Sequence, residues 1–177
     1  MTDERFETDR LFLRPLSMDD VDDLVALDSD PEVMRYLNGG RRTPRDEAEE
    51  IARSSLGHRW VAVDRSTNEF VGWFSLRPSG VGEYELGYRL RRAAWGKGLA
   101  TEGSCALLGR AFARLDARRV WAQTMRVNAA SRRVLERCGL RYVRTFHLAW
   151  PEPIEGTELG DVEYEILRTD WENSSIV

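Results

Sequence analysis

The stretch from Glu83 to Leu115 leaves this chain few folds to choose from. Tyr84, Leu86, Tyr88 and Leu90 alternate with Glu83, Glu85, Gly87 and Arg89, the period of a half-buried strand. Farther on, Cys105, Leu108, Phe112 and Leu115 fall on one face of a helix. Between them runs Trp95-Gly96-Lys97-Gly98-Leu99-Ala100-Thr101, whose small residues let backbone N–H groups converge where the helix begins. A helix start offers unpaired amides and the positive end of the peptide dipoles, which suits phosphate. The stretch therefore predicts a pyrophosphate cradle. It is neither of the two common nucleotide loops. A P-loop needs Gly where Arg91 stands and Ser or Thr where Gly98 stands, and a dinucleotide fingerprint needs Gly in place of Thr101.

The remaining segments group around this unit. Arg10 to Leu16 alternates as a first strand, and Ser17 or Asp19 caps a helix that buries Val21, Leu24, Val25 and Leu27. Pro31 opens a short helix over Glu32 to Tyr36, ended by Asn38-Gly39-Gly40. Thr43-Pro44 opens another, with Ala48, Ile51, Ala52 and Leu56 inward. Trp60 to Val63 and Phe70 to Leu76 read as an antiparallel strand pair. Val120 to Met125 is a strand, Asn128 starts a helix ending near Gly139, and Tyr142 to Trp150 and Val162 to Leu167 are the last strands. No repeat, low-complexity tract or linker interrupts the 177 residues, so one domain is expected over 1–177.

Taken in order, TDRLFLRPLSMDD, DPEVMRYL, ELGYRL, WGKGLATEG and VNAASRRVLERCGL resemble segments of the GNAT family of N-acetyltransferases, in its RimJ/RimL-like branch. Gly98 and Ala100 match the two small positions of that family's acyl-CoA loop, and Trp95 replaces its Gln or Arg. The resemblance implies an α/β fold: a mostly antiparallel mixed sheet of about seven strands, splayed at its middle, with helices on both faces. It also implies acetyl-CoA as co-substrate and an amine as acceptor, either a protein N-terminus or a small molecule.

Acyl transfer from a thioester requires that the thioester be held, the ammonium deprotonated and the thiolate stabilised. By resemblance, the loop from Trp95 through Gly96, Lys97, Gly98, Leu99, Ala100 and Thr101 binds the pyrophosphate. The backbone of Tyr88, Arg89 and Leu90 then pairs with the pantetheine arm as an added strand would. Asn128 matches a pantetheine-binding Asn, although a helix N-cap alone accounts for an Asn there. Glu85 takes the general-base position and Ser131 that of a group facing the thiolate. The tyrosine many relatives use as an acid is replaced by Leu135. Arg91, Arg92, Lys97, Arg132 and Arg133 are further phosphate candidates, or simply solvated charges. The acidic run Glu152, Glu155, Glu158 and Asp161 either attracts a cationic amine or solubilises a loop. Trp60, Trp73 and Trp150 belong either to an acceptor pocket or, more simply, to the core.

Composition narrows the alternatives. With 26 basic and 30 acidic residues the formal charge is −4, against a broad nucleic-acid or anionic-membrane footprint. Cys105 and Cys138 sit on separate predicted helices and read as reduced, mostly buried thiols. Two histidines and no ligand cluster predict no metal. The charged start and the lack of a long apolar run predict a cytoplasmic protein. Relatives often dimerise, so a homodimer is compatible, but no segment marks an interface. A non-catalytic acyl-CoA-binding module on the same fold is the alternative function; a purely structural or interaction domain is a third.

Overall fold

The computed structural model describes residues 4–174, so the ends of the expected domain, 1–3 and 175–177, lie outside the described residues. The strands are β1 (Phe6–Glu7), β2 (Leu11–Pro15), β3 (Arg59–Asp64), β4 (Phe70–Gly80), β5 (Glu83–Leu90), β6 (Arg119–Met125), β7 (Arg141–Phe146) and β8 (Asp161–Leu167). The helices are α1 (Val21–Leu27), α2 (Pro31–Asn38), α3 (Arg45–Ser54), α4 (Leu99–Arg114), α5 (Ala129–Arg137) and α6 (Arg168–Asn173). All eight strands form one sheet in the order β1-β2-β3-β4-β5-β6-β8-β7. Every neighbouring pair is antiparallel except β5 and β6. That parallel pair requires a crossover, which α4 supplies.

The alternation in the sequence divides the core into two layers. Trp60, Phe74, Leu86 and Leu90 face α4 and α5 with Leu107, Leu108, Phe112 and Leu135. Val61 and Trp73 face the other way, onto Leu24, Leu27, Met34 and Ala52 of α1–α3. Gly103 brings α4 against the sheet: a Cβ there would lie 2.2 Å from the Phe74 ring. At the start of α1, Ser17 and Asp20 close a reciprocal cap, and Arg14 holds Asp20 with a 2.9 Å hydrogen bond.

Several details depart from expectation. The sheet has eight strands because Phe6–Glu7 adds an edge to β2. Strand β4 runs through Pro78, which is tolerated because β3 pairs with β4 only as far as Ser75 and leaves an open edge beyond it. Strand β7 stops at Phe146, not Trp150, because Phe146 already opposes Asp161, where β8 begins. Leu56 lies past the end of α3 and is 44% exposed instead of inward. The sequence reading also lacks α6.

Candidate active site

The sheet opens where β5 and β6 part. They pair only at Glu83 with Arg119, Tyr84 with Val120 and Glu85 with Trp121. Past Glu85, β5 stays paired with β4 but has no strand on its other side. The Arg91 N–H donates to the Val71 carbonyl at 2.9 Å. Alternation along an antiparallel strand then turns the peptide groups of Leu86, Tyr88 and Leu90 toward the gap, and those of Arg89 toward β4. The Leu90 carbonyl is already taken, at 2.8 Å, by the Trp95 indole N–H. Tyr88 thus keeps both of its peptide groups open to the gap and Leu90 its N–H, whereas Arg89 uses its guanidinium to bind Asp28 at 2.5 Å.

The gap leads to the start of α4. Gly96 and Gly98 have φ of 70° and 79°, a left-handed turn that side chains disfavour. No side chain caps α4, and its first internal bond reaches back from Glu102 to Gly98. The N–H groups of Leu99, Ala100 and Thr101 therefore have no helical acceptor. A second contact holds this loop: Arg10 donates to the Lys97 carbonyl at 2.8 Å and to Glu102 at 2.7 Å. Glu102 also accepts from Thr8 at 2.5 Å and from the Arg10 N–H at 2.8 Å. Burial raises the Glu102 carboxyl, but these hydrogen bonds and the Arg10 charge outweigh it and hold it below the usual range. Glu102 thus occupies the N-terminal turn as a fixed carboxylate without covering the first three amides.

Asn128 and Ser131 face the gap from the far side. Asn128 accepts from the Ser131 N–H at 3.2 Å and so caps α5, while its amide nitrogen has no partner among the described residues. The Ser131 hydroxyl meets the Tyr88 hydroxyl at 2.9 Å. Burial pushes the Tyr88 phenol well above its ordinary range, so it stays protonated at neutral pH. Leu135 is 1% exposed and packed in the core, so this position of α5 offers no hydroxyl to the gap.

Glu85 lies on the opposite face of β5, toward α1–α3, and forms an ion pair with Arg77 across the β4–β5 ladder. Beside it, toward β7, a cavity of about 230 Å³ includes Glu83, Arg119, Trp121 and Phe146 in its lining. Arg119 gathers Glu83, Glu163 and Glu165 at 3.1, 2.5 and 2.6 Å. Above this face the acidic loop is pinned to α2 and the turn after it. Arg41 binds Glu152 at 2.7 Å, Arg35 reaches Glu155 at 3.5 Å, and Ile154 seats on Gly39.

The structure thus gathers Tyr88, Asn128, Ser131 and the Trp95–Thr101 loop around one gap, with Glu85 on the face beyond. Arg91 and Arg92 are engaged by Glu69 and Asp30, and Arg132 by Tyr164. Lys97 and Arg133 have no side-chain partner among the described residues. Trp60 is fully buried and Trp73 is 8% exposed, both packed against core clusters. Sequence reasoning missed Arg10 and Glu102 as the brace of the loop, although both lie in segments that carry the family resemblance. It also missed the Tyr88 hydroxyl, valued only for its backbone. No group of three or more His, Cys, Asp or Glu side chains suited to a metal occurs among the described residues.

Comparisons with known proteins agree with this architecture. The family model described as "Acetyltransferase (GNAT) domain" matches residues 10–141. An FsC-acetyl coenzyme A-N(2)-transacetylase of Aspergillus fumigatus is 36% identical over 93% of this chain and 76% of its own length. A GNAT acetyltransferase structure from Bacillus anthracis superposes with a TM-score of 0.82 at 23% identity, over 94% of this chain and 99% of that one. The spermidine N-acetyltransferase of Vibrio cholerae, solved with CoA and spermine, superposes at 0.80 and 19% identity, over 94% and 100%. At such identities the two structures speak for the fold alone.

Proposed function

The chain belongs to the GNAT acetyltransferase family, and we propose that it moves the acetyl group of acetyl-CoA to a primary amine by direct attack at the gap between β5 and β6. One juxtaposition carries this reading: the unpaired side of β5 past Glu85 leads to the uncapped start of α4. A polyanion with a strand-like arm fits both halves at once, its diphosphate on the amides of Leu99 to Thr101 and its arm along Tyr88. Lys97, within the loop itself, supplies positive charge there.

The remaining groups divide the proton traffic. Glu85 accepts the ammonium proton, directly or through water, on the face opposite α4. The amine attacks the thioester carbonyl, the C–S bond breaks, and Ser131 donates a hydrogen bond to the departing sulfur. Tyr88 donates to Ser131 in turn and leaves the serine proton free for the sulfur. Because Leu135 is buried where relatives carry a tyrosine, solvent or Ser131 must supply the final proton.

For the acceptor, the likeness to an acetyl coenzyme A-N(2)-transacetylase supports transfer to a nitrogen, and the RimJ/RimL-like segments support a peptide N-terminus over a small amine. A thiol-release assay over amines and peptides at saturating acetyl-CoA separates the two. Calorimetric binding of acetyl-CoA without turnover on the whole panel would favour the non-catalytic module instead.

A further inference from the structure

The turn between β1 and β2 lies outside the gap, yet it reaches the diphosphate loop. This turn is itself anchored by Arg65, just past β3. The Arg65 guanidinium donates to the Thr8 carbonyl at 2.6 Å and pairs with Glu7 at 2.9 Å, and its N–H donates to the Arg10 carbonyl at 3.0 Å. From there the Arg10 side chain crosses to a loop 87 residues away in the chain. Its guanidinium is engaged twice. Nη1 donates to the carbonyl of Lys97, which lies between the two glycines of positive φ. Nε and Nη2 both meet Glu102 Oε2 at 2.7 Å. A Cβ on Gly98 would stand 3.4 Å from Nη2, so the group lies directly against the turn.

Glu102 gives the second engagement its importance. It belongs to the first turn of α4, close to the open amides of Leu99 to Thr101 and at the positive end of the helix. Its other oxygen takes the Thr8 hydroxyl and the Arg10 N–H, so the carboxylate is fixed in place. A carboxylate there stabilises an empty helix start but repels a diphosphate seated on the same amides. Among the described residues, Arg10 is the cation paired with it. Without Arg10 the loop loses its clamp, and the diphosphate meets an uncompensated anion.

From this we infer that Arg10 is a positioning residue for acetyl-CoA: it clamps the diphosphate loop through the Lys97 carbonyl and cancels the Glu102 charge beside it. The inference rests on the acetyl-transfer reading and adds a residue outside the gap that sets affinity for the donor.

The test titrates acetyl-CoA into the whole protein by calorimetry, with thermal midpoints of the unliganded variants reporting that they are folded. Arg10→Met should weaken binding by about tenfold or more. Its deficit relative to the unaltered protein should narrow as sodium chloride is raised, because salt screens the bared carboxylate. Adding Glu102→Gln to Arg10→Met should recover part of the loss. Arg10→Lys keeps the charge but cannot reach both partners, and should fall between the unaltered protein and Arg10→Met. If the methionine variant does not fold, Arg10→Gln takes its place in the same comparison. A brace with a structural role alone gives a double variant no tighter than Arg10→Met, and that result would overturn the inference. So would a deficit that salt leaves untouched, or undiminished affinity in Arg10→Met. If the unaltered protein does not bind acetyl-CoA, the acetyl-transfer reading falls; if it binds and Arg10→Met binds equally well, only the positioning role does.

Discussion

The hydroxyls of Tyr88 and Ser131 stand 2.9 Å apart although 43 residues separate them in the chain. One comes from the unpaired side of β5, the other from the first turn of α5, so their contact spans the gap. If Ser131 assists the leaving sulfur, Ser131→Ala should lower kcat by about tenfold or more. Tyr88→Phe should lower it by less, since the serine loses only its orienting partner. The double variant should be no worse than Ser131→Ala, and additive losses measured in single turnover would refute the shared role.

Glu85 faces the other way, paired with Arg77 on the acceptor side. Glu85→Gln keeps the shape but cannot take a proton. It should reduce kcat by about 10²-fold or more, with little change in acetyl-CoA affinity measured by calorimetry. Unchanged kcat would remove this carboxylate from the chemistry.

Two glycines of the α4 region make separable predictions. Gly98 has φ of 79° at the helix start, so Gly98→Ala should strain the loop by about 1–2 kcal/mol and weaken acetyl-CoA binding. Gly103 touches Phe74 with no space for a methyl, so Gly103→Ala should cost about 1–3 kcal/mol of stability. Denaturant midpoints and acetyl-CoA titrations of the two variants should differ in this sense.

Acid should loosen the start of α1. Asp20 is 3% exposed, and burial raises its carboxyl. Hydrogen bonds from Arg14 and Ser17, with the Arg14 charge, outweigh that and hold it below the ordinary aspartate range. A depressed value contributes stability above about pH 4, and that contribution is lost as pH falls through the folded-state value. Asp20→Asn should cost about 1–3 kcal/mol at pH 7 and flatten the acid limb of the stability curve. A parallel limb would assign that loss to other carboxylates.

Cys105 and Cys138 were expected as unrelated buried thiols, yet their sulfurs lie 3.4 Å apart between α4 and α5. Diamide should therefore convert both thiols to one intramolecular disulfide, a loss of two hydrogens read by mass spectrometry, without dimer formation. Persistence of two titratable thiols in the folded protein would show that the backbone cannot close the remaining distance.

Legibility followed periodicity. The β5 alternation and the α4 stripe were readable because each repeats several times, and the loop between them because glycines mark positive φ. Leu56 misled because an apolar residue at the right spacing lies two residues beyond the end of its helix. Strand β7 ran out early because its partner, not its own residues, ended the ladder. The approach of Cys105 to Cys138 gave no signal at all. A cysteine on a helix looks the same whether or not another sulfur folds beside it.

What the sequence by itself determined is the local order: which segments are strands and helices, which faces are apolar, and where a helix starts without a cap. Backbone sterics and side-chain periodicity act over a few residues, so they are written locally. Only the tertiary structure decided that β5 and β6 part after Glu85, that Tyr88 meets Ser131, and that the Cys105 and Cys138 sulfurs come together. Those facts depend on distances between residues far apart in the chain, and packing alone sets such distances.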